Sequence, residues 1–113
     1  MVLGLAQRGY AIIHGRVHYV EAGSGTAKNL DGIVRDAAGN LYLVDYTWTA
    51  QQGALNANDL KGKREDCDKR FSAMPFATFD GGENYYNQFG GILVVHLQYT
   101  GELTLDLRTR PDI

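Results

Sequence analysis

Cysteine is almost absent from this sequence of 113 residues, which excludes several kinds of scaffold and site. With Cys67 alone, no disulfide framework can form within the chain and no cysteine-based zinc site can assemble. We therefore expect a fold held by its apolar core, with Cys67 as a small buried member of that core. No apolar run is long enough to span a bilayer, and residues 1–9 lack the basic start and long apolar stretch of a secretory signal. These absences predict a soluble chain with no membrane partner.

Charge of one sign is not in large excess either. The formal net charge is −2, which argues against a generally basic, nucleic-acid-coating surface and leaves room for a local cationic strip beside an acidic site. The sequence has no phosphate-binding glycine loop with a lysine, no Gly-x-Ser-x-Gly motif and no zinc-deaminase signature, so those enzyme classes are excluded. There is no internal repeat, and the length suits one domain over residues 1–113.

Helix and strand signals follow one another in an order typical of an α+β domain. The predicted elements are a helix end over 2–8 closed by Gly9, a strand over 10–20 bent at Gly15, a hairpin over 30–49, a helix over 59–73 capped by Asn58 and stopped by Pro75, a loop over 76–91, and strands over 92–99 and 102–109. Leu60, Cys67, Phe71 and Met74 recur at helical spacing and give the helix an apolar stripe. A strand after that helix can return parallel to the hairpin, which predicts a mixed central β-sheet with flanking helices.

The hairpin over residues 30–49 is the most informative segment, because each strand carries an acid. If Asp36 to Asn40 form the loop, Arg35 pairs with Leu41, and counting inward places Asp31 opposite Asp45 on one face. Like charges at such a pair repel, whereas a hard divalent cation such as Mg²⁺ is bound by one or two carboxylates plus water. The alternative is a loop one residue longer or shorter, in which case the two acids face opposite ways and at least one is an ordinary solvated side chain.

This order of elements, with an acid in one hairpin strand and an acid-x-x triplet in the next, resembles the PD-(D/E)XK restriction-endonuclease-like superfamily. The likeness is greatest to the small nuclease toxin domains at the C-termini of bacterial polymorphic toxins. Leu30-Asp31-Gly32-Ile33 matches the first part of the motif, and Leu43-Val44-Asp45-Tyr46-Thr47 matches the second except at its end. The position of the motif lysine holds Thr47, which cannot carry that positive charge.

The resemblance implies a restriction-endonuclease-like core that hydrolyses phosphodiester bonds in DNA or tRNA. It implies that Mg²⁺ or Mn²⁺ is held by Asp31, Asp45 and the main-chain carbonyl of Tyr46. A toxin of this kind is exported by its producer, acts in the cytoplasm of the target cell and has a cognate immunity protein as partner. The missing lysine can be supplied from the helix by Lys63 or Arg64, which lie about 50° to either side of its apolar stripe. The remaining candidate roles are a hydrogen bond from Thr47 to water or phosphate, and substrate contacts by Lys61, Gln51 and Gln52.

Other assignments remain open at this point. The missing lysine, together with the absence of an acid in residues 1–9, also suits a non-catalytic domain that binds nucleic acid or protein on the same scaffold, unless Glu21 substitutes for the acid. A metal-independent ribonuclease would use His14, His18 or His96 as a base. His14 and His18 lie about 13 Å apart on one predicted strand, too far to share a metal ion. The aromatic residues are interpreted as packing residues: Tyr42, Tyr46 and Trp48 in the core, and Tyr85, Tyr86 and Phe89 as anchors of the loop.

Overall fold

The computed structural model describes residues 2–48, 57–98 and 101–112. Two α-helices and eight strands are present in these ranges. They are α1 (Val2–Gln7), β1 (Ala11–His14), β2 (Val17–Val20), β3 (Ala27–Leu30), β4 (Gly32–Arg35), β5 (Leu41–Trp48), α2 (Ala57–Ala73), β6 (Thr78–Phe79), β7 (Phe89–Leu97) and β8 (Leu103–Thr109). Short 3₁₀ helices span Met74–Phe76 and Tyr86–Gln88. None of the described helices is both long and apolar enough to cross a membrane.

The strands form two sheets. The main sheet has the order β1-β4-β5-β7-β8, and the small sheet has the order β3-β2-β6. In the main sheet β5 and β7 run parallel, and every other neighbouring pair is antiparallel. The fold is therefore α+β with a mixed sheet, as predicted, and the strand after α2 does return parallel to the hairpin.

An apolar core lies on each face of the main sheet, because alternate residues of a strand point to opposite faces. On the α1 side, Leu5 packs with residues of the three central strands, namely Val34, Val44, Leu93 and Val95. On the other side, α2 and the small sheet cover a larger cluster that includes Leu43, Ile92, Val94, Cys67, Phe71, Met74 and Tyr19. Full burial of one such aliphatic or aromatic side chain contributes about 1.5–3 kcal/mol. Cys67 is 2% exposed, which confirms its predicted place in the core.

The hairpin has the predicted register. Arg35 pairs with Leu41, and the ladder continues inward to Gly32 opposite Val44. Asp36 closes the turn, since its Oδ1 accepts the N–H groups of Ala38 and Asn40 at 3.0 and 2.8 Å. Gly39 has φ +90°, a left-handed conformation that glycine adopts without steric cost.

Three boundary predictions were wrong. Residues 10–20 form two strands in two different sheets, because β1 pairs with β4 whereas β2 pairs with β3 and β6. The predicted loop over 76–91 contains β6 and the start of β7, since Phe79 is buried in stacked contact with Tyr19, with ring centroids 5.5 Å apart. Helix α2 begins at Ala57, so Asn58 lies in its first turn and does not cap it. The first two differences come from long-range contacts that local propensity does not contain.

Candidate functional site

The regular hairpin ladder ends at Asp31. The N–H of Asp31 donates to the Val44 carbonyl at 2.8 Å, and its carboxylate Oδ2 accepts the N–H of Tyr46, also at 2.8 Å. The next ladder position would place a main-chain carbonyl against Tyr46, and here a side-chain carboxylate lies there instead. Asp31 is therefore held against the peptide group that joins Asp45 to Tyr46, between the start of β4 and the middle of β5.

The same local geometry determines the direction of a main-chain oxygen. In an extended strand the N–H and C=O groups of one residue point to the same edge. Because the N–H of Tyr46 reaches Asp31, the Tyr46 carbonyl also points to the edge beyond the end of β4. The carbonyl expected to complete the ligand set therefore lies on the same edge as the Asp31 carboxylate.

Asp45 receives a cation from helix α2. Its Oδ2 lies 3.3 Å from Lys63 Nζ, and the two side chains are 18% and 28% exposed. Lys63 occurs one helical turn before the buried Cys67, so it lies on the face of α2 that packs on the sheet. The ion pair is consequently half-buried between α2 and β5.

Arg64, the other candidate cation, contacts a different strand. Its Nε and Nη2 donate to the two carboxylate oxygens of Asp106 on β8, at 3.1 and 3.0 Å. One turn further along α2, Asp68 accepts a second bidentate pair from Arg108 at 2.9 and 3.1 Å. One side of α2 therefore holds β8, and of the two cations it is Lys63 that contacts the acid of the hairpin.

A cleft of about 330 Å³ opens beside Asp45 and Lys63. Its lining also includes three basic residues, two further acids and a tyrosine, namely Lys28, Lys69, Arg70, Glu21, Asp66 and Tyr19. Arg70 donates to the Tyr19 hydroxyl at 3.0 Å and to the Asn29 carbonyl at 3.2 Å, which fixes α2 against the small sheet. The lining thus carries four cationic and three anionic side chains, a local positive excess in a chain whose net charge is −2.

His96 has an environment that the sequence does not reveal. From the sequence it is a candidate general base of a metal-independent ribonuclease, and the structure places it on β7, paired in register with Thr47 of β5. The ring is 1% exposed, and neither nitrogen has a hydrogen-bond partner among the described residues. Burial lowers the pKa of His96, the nearby charge of Lys63 lowers it further, and Asp106, Asp45 and Asp59 oppose the shift. No local sequence signal distinguishes His96, because its surroundings come from three other elements.

The remaining predicted site residues are distributed as follows. Thr47 is half-buried on β5, two residues beyond Asp45 and therefore on the same face. Lys61 is exposed on α2 and forms a 3.9 Å pair with Glu65. Gln51 and Gln52 lie outside the described residues.

The other histidines and the aromatic residues are also accounted for. His14 and His18 are both exposed and belong to different sheets, so the single strand assumed for them was wrong. Tyr42 and Tyr46 pack against the α1-side core as predicted, whereas Trp48 is 67% exposed and the core position predicted for it was wrong. Tyr86 and Phe89 are buried and Tyr85 packs against them, in agreement with the predicted anchoring role.

The oxygen donors of this site suit a hard cation. Across residues 2–48, 57–98 and 101–112, no three side chains of the His, Cys, Asp or Glu type form a metal-binding group. Mg²⁺ needs fewer side-chain ligands than three, because it is held by one or two carboxylates and keeps several waters. The contacts described above use Oδ2 of Asp31 and Oδ2 of Asp45. The candidate ligands are then Oδ1 of Asp31, the Asp45 carboxylate that Lys63 contacts, and the Tyr46 carbonyl.

Comparison with known proteins found no match: no family model, no curated protein and no solved structure is similar to this chain.

Proposed function

We propose that this protein is a nuclease that depends on Mg²⁺ or Mn²⁺ and hydrolyses phosphodiester bonds of DNA or tRNA. The observation that carries the proposal is that both hairpin acids lie at the Asp45–Tyr46 segment of β5 and that a lysine of α2 contacts one of them. The Asp31 carboxylate bonds to the Asp45–Tyr46 peptide, and Lys63 contacts Asp45 from the adjacent helix. Carboxylates can hold a divalent cation, and metal-assisted cleavage of a phosphodiester depends on such a cation to activate a water and stabilise the charge of the phosphate.

Each residue has a defined role in this proposal. Asp31, Asp45 and the Tyr46 carbonyl hold the divalent cation, which supplies an activated water and neutralises phosphate charge. Lys63 takes the part of the lysine that the motif lacks, and its ammonium faces the scissile phosphate. Thr47 is close enough along β5 to donate a hydrogen bond to the phosphate or the water. Glu21, in the same cleft, is the available substitute for an acid upstream of the hairpin.

The finer assignment to the restriction-endonuclease-like PD-(D/E)XK superfamily is part of the proposal. An acid hairpin followed by a helix and a parallel strand supports it, since this is the order on which the resemblance was based. In that setting the chain is the effector domain of a bacterial competition system. Its partner is then an immunity protein, and its site of action is the cytoplasm of the target cell.

The substrate would enter through the cleft beside Asp45. Lys28 and Lys69 are exposed on opposite walls, one on β3 and one on α2, and Arg70 lies deeper. Contacts between such side chains and phosphates release counterions, so we expect binding to weaken as salt concentration rises.

The test is incubation of the purified chain with plasmid DNA and with total RNA, in Mg²⁺, in Mn²⁺ and in EDTA. We expect cleavage with either metal, none in EDTA, and loss of detectable cleavage in Asp31→Ala and in Asp45→Ala. Glu83→Gln is the matched control, because it removes an exposed carboxylate away from the cleft.

Two other results would each replace the proposal by one of the alternatives. Cleavage that persists in EDTA and in Asp45→Ala, but disappears when a histidine is replaced, would identify a metal-independent ribonuclease. A folded protein that binds nucleic acid without cutting it would identify a binding domain on this scaffold.

A further inference from the structure

The imidazole of His96 is an unusual group for a protein interior. It is 1% exposed, and both ring nitrogens lack a hydrogen-bond partner among the described residues. Most buried polar side chains have at least one partner, and one that has none destabilises the fold. A leucine or methionine at this position would fill similar space without that cost. Packing alone therefore does not explain why a histidine occupies this position.

His96 lies beside the proposed catalytic residues. It is the register partner of Thr47 on the parallel strand β5, and neighbouring strands are about 4.8 Å apart. On its other side it pairs with Thr104 of β8. Ile92 and Val94, which precede it at alternate positions of β7, belong to the core under α2, so the His96 ring also lies under α2. It is thus next to the position where the motif lysine would be.

The charged groups around this ring differ in how they are paired. Asp106 of β8 is bound in bidentate fashion by Arg64, and Asp59 of α2 has a contact of its own. Lys63, by contrast, contacts Asp45, the same carboxylate that the proposed function assigns to the metal. A divalent cation on Asp45 would compete with the Lys63 ammonium and repel it. A half-buried ammonium that leaves its carboxylate needs another acceptor.

We propose that His96 is a positioning residue for Lys63: the ammonium released when Asp45 binds a divalent cation donates a hydrogen bond to the His96 imidazole, which holds it beside Thr47. The inference rests on the proposed function, because it assumes that Asp45 is a metal ligand. Only the neutral imidazole has a nitrogen that accepts a hydrogen bond. The lowered pKa of His96, caused by burial and then by Lys63, keeps the ring in that form.

A purely structural role for His96 and a role as hydrogen-bond acceptor predict different effects of substitutions. If His96 only fills space, His96→Leu should be at least as stable and as active as the wild type, and His96→Asn should be worse in both respects. If His96 accepts a hydrogen bond from Lys63, His96→Asn keeps an acceptor oxygen whereas His96→Leu has none. We then expect His96→Leu to be the more stable variant and His96→Asn to be the more active one.

The kinetic experiment uses the full chain and the substrate cleaved by the wild type. We expect His96→Leu to retain the thermal unfolding midpoint or raise it, and to lose about 10–100-fold in cleavage rate, the usual effect of removing a group that orients a ligand or catalytic side chain. His96→Asn should recover part of that loss, provided that the assay temperature is well below its unfolding midpoint.

The second measurement does not depend on activity. Nitrogen chemical shifts of the His96 ring are followed by NMR while Mg²⁺ is added to the wild type. We expect the acceptor nitrogen to move in the direction that accompanies hydrogen bonding to a cation, and we expect no such movement in Lys63→Met. His18, which is exposed and lies on β2 of the small sheet, serves as an internal reference.

The outcomes separate the inference from the function on which it rests. An unchanged His96 ring at saturating Mg²⁺, or a stable His96→Leu variant that cleaves like the wild type, overturns the inference and leaves the nuclease proposal standing. A wild-type protein that shows the ring shift without cutting any nucleic acid overturns the nuclease proposal and retains the His96–Lys63 contact.

Discussion

Replacing Lys63 by methionine should tighten Mg²⁺ binding while it slows cleavage. Lys63 Nζ lies 3.3 Å from Asp45 Oδ2, and the side chains are 28% and 18% exposed. At that distance the attraction is about 5 kcal/mol with an effective dielectric constant of about 20. Desolvation and side-chain ordering offset most of it, which leaves about 1–2 kcal/mol for a pair intermediate between exposed and buried. A metal that must displace Lys63 binds more weakly by that amount, so Lys63→Met should lower the Mg²⁺ dissociation constant about 5–30-fold.

Isothermal titration calorimetry with Mg²⁺ at low ionic strength measures this change. Lys61→Met is the matched control, because it removes the same charge from the same helix at a position whose side chain is 76% exposed and 3.9 Å from Glu65. The exposed Lys61–Glu65 pair contributes little, so the Mg²⁺ affinity of Lys61→Met should stay within about twofold of the wild type. Equal affinities in the two variants, or weaker binding by Lys63→Met, would refute the competition between Lys63 and the metal. Unchanged cleavage by Lys63→Met would refute its role at the phosphate.

Three further predictions concern stability and reactivity. The Cys67 thiol, 2% exposed and with its pKa raised to about 11 mainly by burial, should react with a thiol reagent at pH 8 only as fast as the protein unfolds, and rapid labelling of the folded protein would contradict this burial. The pKa of Asp36 is lowered, chiefly by the side chain of Asn40. The contribution of the Asp36 carboxylate to the free energy of unfolding is therefore fully present above the unfolded pKa of about 3.9. It is lost as the pH falls through the lower folded pKa. Asp36→Ala should accordingly lower the melting temperature at pH 7, and the difference should shrink toward pH 2. A β-carbon on Gly91 would lie 2.2 Å from the Arg108 carbonyl, whereas one on Gly62 in α2 meets nothing within 4 Å. Chemical denaturation should therefore show Gly91→Ala destabilised by about 1–3 kcal/mol and Gly62→Ala stabilised by about 0.5–1 kcal/mol, and the reverse order would contradict the packing of β7 on β8.

The hairpin shows which structural features the local sequence predicts and which it does not. The turn chemistry of Asp36 to Asn40 predicted the register that the structure has, since a short polar turn between two β-rich strands allows few pairings. The same register predicted Asp31 directly opposite Asp45. That pairing was wrong: the ladder ends at Gly32 opposite Val44, Asp31 lies between β3 and β4, and its carboxylate bonds to the N–H of Tyr46. A side chain that replaces a main-chain acceptor at the end of a strand has no signature in hydrophobic periodicity.

The sequence alone does not decide which of the two candidate cations contacts the hairpin. Helical geometry placed Lys63 and Arg64 symmetrically about the apolar stripe, so either could reach the hairpin. The choice depends on β8, which presents Asp106, 42 residues after Arg64 in the chain, to the Arg64 guanidinium. With Arg64 bound there, Lys63 is the cation over β5. Long-range pairing of strands thus decided which side chain meets Asp45.

By itself, the amino-acid order determined the α+β class, the hairpin turn with its register, the helix after it and the burial of Cys67, because these follow from periodicity, turn residues and composition within short segments. Only the tertiary structure divided residues 10–20 between two sheets and brought His96 next to Thr47, near enough to Lys63 for that charge to lower the His96 pKa. The physical reason is that strand pairing and helix docking join residues far apart in the chain. The environment of a side chain such as His96 is therefore supplied by elements that its own neighbours in sequence do not describe.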